Sequence, residues 1–559
     1  NNLVWNIEGE CFAYYELIPF NYSFLSLEQK DAVHDAFRQL IAQNRDGKIH
    51  ALQISTESSI RAAQERSKKS VTGRLKEIAC AEIDEQTENL VASLGDTQVD
   101  YRFFLGFKLV VTDKELSVKE MGKTAKNLLH DAANAIGHSF MGDFVSMPND
   151  EIRRYIRMEK LMENKLSRRF KVRRLNKNDF GYLLEHIYGR TGTAYEDFAF
   201  TLPLKKRKRD TLVKKYDLIK PARCLIEEKQ RYLHMKSEDS ESYVAYFTIS
   251  DVVGELDFPS SEIFYYQEQQ FDFAIDTSMN VEIITNKAAL HTVRNKKKEL
   301  KDLDNHAWEN NSETTNQVAE ALDSVDELES VLDQSKESMY KLSYVVRVTA
   351  PDTEELKRRC NQVRDFYDDA SIKLVRPIGD MMGLHNEFIP SSKRYMNDYV
   401  QYVTSDFLAG LGFGATQMLG ERDGIYLGYN VDTDQNVYVQ PAKAAQGVKG
   451  SVTNALSGAF LGSLGGGKSL SFNLLTYYAV LNGAQALILD PKSERGLWKE
   501  KLPEIADEIN IVNLTSDEEN KGMLDPYIIM RKTKDAESLA LDVLTFLTGI
   551  SSRDGKLFP

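Results

Sequence analysis

The sequence predicts a multidomain chain of mixed α/β and α+β class, and three observations predict it. At 559 residues the chain is too long for one domain, since a domain takes about 150 residues. Strand and helix patterns alternate along the first 190 residues and return after residue 340. A glycine-rich turn, FLGSLGGGKSLSFNLL from Phe460 to Leu475, stands between an apolar strand pattern and an apolar helix pattern.

The expected N-terminal α/β region is 1–190. VWNIEGECFAYYELIPF reads as a strand or hairpin. Ser26-x-x-Gln29 is a capping-box pattern that opens a helix reaching about Asn44. KIHALQIST is a strand, Ser58 to Leu94 a long charged helix, VDYRFFLGFKLVVT a strand, and DEIRRYIRMEKLMENKLSRRF a helix. A second, α+β region is expected over 191–400. It contains the strongest basic run, Lys205, Lys206, Arg207, Lys208 and Arg209, which reads as a solvated loop or as a patch for anionic lipid or an acidic partner. Residues 287–341 lack Gly and Pro, and Val318, Leu322, Val325 and Leu332 repeat at helical spacing, so a helical hairpin is expected there. LSYVVRVTA, a helix from Pro351 and SIKLVRP then give strand, helix, strand.

Composition excludes several classes. Hydrophobic residues at 42% and charged residues at 28% fit a soluble globular chain. A formal net charge of −13 keeps the surface as a whole off nucleic acid and anionic lipid, so any such contact needs a local basic patch. Cys11, Cys80, Cys224 and Cys360 are widely spaced, which argues for reduced thiols in the cytosol and against a zinc site. No run reaches the roughly 18 apolar residues of a membrane-spanning helix. The chain opens without methionine, so the true N-terminus is expected to be missing.

The third region, 401–559, opens with a hairpin over Gly424–Pro441. Its DTDQN stretch has Asp432, Asp434 and Asn436 at calcium-loop spacing, but Val437 and Lys443 stand where glycine and glutamate are required, so it reads as a polar turn. Gly462-x4-Gly467-Lys468-Ser469 matches the phosphate-loop pattern in full. ALSGAFL before it is an expected strand and AQALILD after its helix a buried parallel strand, the context the motif requires. Leu470, Leu474, Tyr478 and Leu481 share one helix face, and Gly483 stands at a C-cap. Gly465, Gly466 and Gly467 let successive N–H groups turn toward phosphate oxygens, and the helix N-terminus adds its dipole. Lys468 is expected on the β- and γ-phosphates and Ser469 on Mg²⁺. The nucleotide-binding set is Gly462, Ser463, Leu464, Gly465, Gly466, Gly467, Lys468, Ser469 and Leu470. NKND at Asn176–Asp179 precedes the loop instead of following it, so ATP is expected over GTP, and Asn178 or Asp179 is read as a helix N-cap. In LILDPKSE, Asp490 and Glu494 join Lys468 as catalytic candidates. They orient the Mg²⁺ shell, a water or a neighbouring subunit, or else belong to a strand-end turn.

LGSLGGGKS, followed by LILDPKSE and then GMLDPY, resembles the conjugation ATPases of type IV secretion systems, the CagE/TrbE/VirB family, and in particular those of Gram-positive conjugative elements. VWNIEGECFAYYELIPFNYSFLS, LSRRF, the helical hairpin and GIYLGYN extend the resemblance over the chain. It implies a RecA-like motor domain that binds ATP and Mg²⁺ and is C-terminally truncated here, because the family's Walker B pair and arginine finger have no match. This fragment is therefore expected to hydrolyse ATP negligibly. The resemblance also implies an N-terminal domain docked on membrane-embedded channel proteins at the inner face of the membrane. Further implied partners are a coupling ATPase, other copies of the chain, usually as a hexamer, and non-specific DNA. A nucleotide-regulated assembly scaffold and a DNA-translocating ATPase are the competing functions.

Overall fold

The computed structural model describes residues 2–6, 8–44, 47–110, 149–188, 198, 224–237, 240–252, 258–309, 316–392, 394, 396–446, 457–513 and 521–549. The chain divides into two units. The first comprises 1–71 and 80–479, the second 72–79 and 480–559. The basic run 205–209 lies outside the described residues.

The first unit is built on a twelve-stranded sheet. Sixteen strands are described, twelve of them in this sheet and β3, β14, β15 and β16 in two small ones; in chain order they are β1 (Leu3–Trp5), β2 (Cys11–Leu17), β3 (Phe20–Asn21), β4 (Lys48–Ser59), β5 (Thr97–Lys108), β6 (Val172–Arg174), β7 (Leu225–Glu228) and β8 (Leu233–Lys236). They continue as β9 (Glu241–Val252), β10 (Ile275–Ile284), β11 (Met339–Ala350), β12 (Ile372–Val375), β13 (Gln401–Val403), β14 (Ala415–Thr416), β15 (Ile425–Tyr429) and β16 (Asn436–Val439). The main path runs β1-β2-β5-β4-β10-β11-β9-β8-β7, and β12, β13 and β6 pair with β9, β11 and β2. Its pairings are antiparallel. The alternation of strands and helices in the sequence thus produces an antiparallel sheet, not a parallel one. The boundary expected at 190 is crossed by the β4–β10 ladder, which sets Gln53 opposite Thr277. Local pattern identifies a strand but not the partner its backbone N–H and C=O groups will find.

Both faces are covered, which is why the long strands read as nearly continuous apolar runs. One face packs Ala13, Tyr15, Phe103, Leu105, Tyr344 and Val346 against helices that include Leu27–Ala42 and Thr353–Asp369. The other packs Tyr14, Leu52, Phe104, Tyr246 and Val345 against helix Lys177–Tyr188 and helix Met381–Asn386. The Ser26–Gln29 capping box is formed on both sides. Asp352, not Pro351, starts its helix by accepting from Glu354 and Glu355 N–H. The NKND stretch is also a cap, but Asn176 is the residue that caps. Its side chain accepts from Asn178 and Asp179 N–H while Asp179 accepts from Asn176 N–H. The single helix expected over 58–94 is two, Ile60–Ser70 and Lys76–Leu94, interrupted at Gly73 with φ +98°.

The second sheet face carries a buried ionic cluster. Arg347 on β11 pairs with Asp276 on β10 at 3.3 Å, and both side chains are fully buried. Asp276 also accepts from Ser55 N–H at 2.8 Å and Ser55 Oγ at 2.6 Å, and His186 Nε2 lies 3.1 Å away. Arg347 further donates to the carbonyls of His186 and Ile187, in the last turn of helix Lys177–Tyr188. One guanidinium thus joins two strands and a helix end, where an arginine also complements the helix dipole. Near it, Tyr246 OH lies 2.8 Å from His385 Nδ1. Burial, and then the Arg347 charge, bring the His385 pKa down to about 3.

The helical hairpin forms from Asn286–Glu309 and Asn316–Ser335. Ala289, Leu290, Val293 and Leu332 make its small core. Arg294 and Lys297 reach Glu329 at 2.8 and 2.9 Å, and Asn286 ties the base to the Leu332 and Glu337 carbonyls.

The segment that follows the sheet is tied back to it. β14 pairs with β3 in parallel. The buried Glu268 carboxylate accepts from Gln417 N–H, and Asn21 Nδ2 donates to Met418 O at 3.0 Å. Arg422 pairs with Asp100, and Gly424 N–H donates to Ser67 Oγ at 2.9 Å. The DTDQN stretch is the turn joining the β15–β16 hairpin, closed by Asn430 N–H on Gln435 O at 2.8 Å.

The second unit is helical among its described residues, with helices Trp498–Lys501, Pro526–Ile529 and Thr533–Thr548. The strands expected at ALSGAFL and AQALILD are not formed among the described residues, where 457–463 and 484–490 lie outside any ladder. A parallel strand exists only with a neighbour beside it, and Leu487 and Leu489 are 90% and 84% exposed.

Two outcomes test this account. Arg347→Met leaves the buried Asp276 carboxylate uncompensated, so urea unfolding should show a loss of about 3–5 kcal/mol. His385 is held neutral in the fold, so its contribution is complete above the ordinary histidine pKa of 6.5 and is lost as pH falls toward 3. Urea midpoints should therefore drop between pH 7 and 4, and His385→Asn should drop less over that window.

Candidate functional site: a phosphate-binding loop

The loop spans Gly462–Ser469 and leads into helix Lys468–Leu481. Gly465 and Gly467 both have φ +79°, a left-handed conformation that costs other residues roughly 1–2 kcal/mol. An added Cβ at either would meet open space, so backbone conformation and not crowding demands glycine there. At Gly462 the reason differs, because a Cβ would stand 3.1 Å from Lys468 Cγ. Gly466 N–H donates to Ser463 O at 3.1 Å, closing the turn, and Ser471 N–H to Gly467 O at 2.9 Å, starting the helix. Phe460 meets Phe472 edge-on at 5.7 Å and fixes the approach of the chain to the helix. That contact is invisible in the motif, although the twelve-residue separation of two phenylalanines flanking the loop hinted at it.

Lys468 folds back across the loop. Its ammonium donates to Gly462 O at 2.8 Å and Ser463 O at 2.7 Å. The charge therefore sits over the loop beside the first-turn N–H groups of the helix, which have no carbonyl four residues earlier within the helix. Ser469 is exposed at the second helical position, and Leu464 and Leu470 expose their side chains to solvent. Glycine conformation, donors and ammonium together fit a polyphosphate. Nine residues from Gly462 to Leu470 are thus brought together as one contiguous loop and helix start.

Asp490 and Glu494 lie in the second unit, on a turn described by itself. Asp490 accepts from Arg495 N–H at 2.9 Å and Lys492 N–H at 3.3 Å, and Arg495 Nη1 approaches at 3.4 Å. The Arg495 backbone N–H, more than any other group, holds this carboxyl below its usual range. Ser493 takes φ +53° within the turn, and the Arg495 guanidinium stands 5.8 Å from the centre of the Trp498 ring. Asp490 thus organises a turn, and Glu494 is exposed on it. Arg495 was the residue that sequence reasoning missed, though it follows directly on DPKSE. In GMLDPY, Asp525 caps the next short helix by accepting from Tyr527 N–H at 2.9 Å.

Gly467→Val should strain the loop by about 1–3 kcal/mol without touching a core. Titration with a fluorescent ATP analogue should show affinity falling about tenfold or more, with the thermal unfolding of the sheet unchanged.

Residues 435–559 match the sequence profile of the AAA-like domain. Over 337 residues the chain is 23% identical to the uncharacterized protein YddE of Bacillus subtilis (strain 168). That alignment covers 55% of this chain and 40% of YddE, so the chain spans less than half of that relative. With the loop geometry, the match identifies the C-terminal part of this chain as an AAA-like, P-loop ATPase module.

Proposed function

We propose that this chain is the ATP-binding motor subunit of a conjugative type IV secretion channel, powering its assembly and the transfer of substrate through it. The observation that carries the reading is the loop itself, in which two left-handed glycines and the Lys468 ammonium gather donors at a helix N-terminus. The AAA-like match supports an ATP-driven motor in general. The conjugative assignment rests on the order of LGSLGGGKS, LILDPKSE and GMLDPY.

In this reading the backbone N–H groups of Gly465 to Ser469 hold the phosphates of ATP, and the Ser469 hydroxyl ligates Mg²⁺. The ammonium of Lys468 leaves the Gly462 and Ser463 carbonyls for the β- and γ-phosphates. Bound Mg²⁺–ATP supplies the phosphoryl-transfer free energy. The protein works as a homo-oligomer, a hexamer by resemblance, at the inner face of the membrane with channel proteins and a coupling ATPase, and DNA contact is non-specific. The proposed attachment is peripheral; no helix among the described residues is long and apolar enough to cross a membrane.

One observation favours a second reading, a nucleotide-controlled assembly scaffold. The Asp490 carboxylate is already engaged by Arg495 and is not presented to a ligand. Lys468→Ala separates the two. It removes a ligand charge and no core packing, so the variant should stay folded. Under the motor reading, conjugative transfer and Mg²⁺-dependent ATP hydrolysis by the native protein both fall by a factor of roughly 100 or more. Transfer at the parental level would rule the motor out, and transfer lost in the variant while the parental protein itself shows no measurable hydrolysis would select the scaffold.

A further inference from the structure

The charge of this chain is unevenly distributed. Its net charge is −13, yet from Asp150 to Asp179 eleven Lys and Arg stand against five Asp and Glu. The helix Asn149–Ser167 carries five of those cations against four of the acids, and the other six cations follow it. Its inner face is fixed by packing and by a buried acid. Leu166 is fully buried, Tyr155 meets Trp5 edge-on at 5.8 Å, and Glu159 is held by Arg174 at 2.7 Å and by Tyr15 OH at 3.0 Å. That anchoring fixes what the outer face shows. Arg153, Arg157 and Lys160 fall at i, i+4 and i+7 on one exposed stripe. Arg168, Arg169 and Lys171 continue the exposed basic surface beyond the helix end. Ile156 and Leu161, 39% and 62% exposed, flank the stripe on either side.

We propose that this helix face is a docking surface for an anionic lipid bilayer. Three features favour a membrane over a nucleic acid. A helix of 19 residues is about 28 Å of straight edge, which a plane meets along its whole length. The flanking Ile156 and Leu161 gain nothing against phosphates on a duplex, whereas at a bilayer they enter the headgroup boundary. The chain as a whole carries a net charge of −13, which opposes a polyanion that wraps around it. The surface is independent of the nucleotide loop, so it is tested without ATP and its failure leaves the ATPase reading untouched.

The experiment is co-sedimentation of the whole chain with vesicles of phosphatidylcholine alone and with about a third phosphatidylserine. The protein should partition to the anionic vesicles only, and less as salt rises. The triple variant Arg153→Gln, Arg157→Gln, Lys160→Gln should lose about a hundredfold in partitioning, at roughly the free energy expected for three charges near an anionic surface. Leu161→Ser should lose severalfold with the charge intact. Arg168→Gln with Lys171→Gln, outside the helix, repeats the test if the triple variant does not fold. Equal partitioning of folded variants and parent, or equal binding of the parent to both vesicle types, overturns the proposal. So does a parent that binds duplex DNA but not anionic vesicles, with DNA binding lost in the triple variant.

Discussion

The first unit depends on a charge placed where charges are costly. Arg347 and Asp276 sit on adjacent central strands with no solvent exposure. Removing two such ions from water costs several kcal/mol each, and only dense hydrogen bonding offsets it. The cluster achieves this by drawing partners from separate parts of the sequence: Ser55 from β4, His186, and the last carbonyls of helix Lys177–Tyr188. Any register shift between β10 and β11 would separate the pair, so the cluster specifies register in a sheet whose strands are apolar on both faces. Neighbouring polar groups extend the same logic. Tyr14, His50, Ser278 and the Glu387 carbonyl form a continuous buried chain across β2, β4 and β10.

From this rigid sheet the chain runs toward the nucleotide loop through a segment held at several points. Glu268, Asn21, Asp100 and Ser67 each bond a different residue between Gln417 and Gly424. The Glu268 carboxyl is pushed up to about 8 by burial, so at neutral pH much of it is protonated and its burial carries less charge penalty. Residues 417–424 are thus tied to the sheet unit at four points.

What the sequence disclosed follows from range. The capping box at Ser26, each helix of the hairpin over 287–341, the β15–β16 turn and the glycine loop are set by residues within about a dozen positions of each other, so local pattern suffices. Strand partnership is not local. Nothing in KIHALQIST says that its neighbours will be residues 97–108 on one side and 275–284 on the other, and that missing information turned an expected α/β region into an antiparallel sheet. The split at Gly73 was readable in principle from the SVTGRLK stretch at 70–76, but the helical charge pattern on both sides masked it. At the loop the residue types were all legible from chemistry. The back-folded Lys468 and the Arg495 clasp on Asp490 were not, because a side chain's internal partner depends on geometry that spacing does not encode.

The posture of Lys468 has a kinetic meaning. An ammonium bonded to two carbonyls of its own loop has its charge satisfied and holds the turn closed. Arrival of a polyphosphate is then an exchange of partners and not the ordering of a slack segment. The entropic cost of shaping the site falls on folding, and what remains at binding is the swap of two carbonyls for phosphate oxygens. Such a loop discriminates by charge: a neutral ligand cannot outcompete the carbonyls for the ammonium, whereas a triphosphate can. In the proposed reading, selectivity for highly charged nucleotides is built into this lysine.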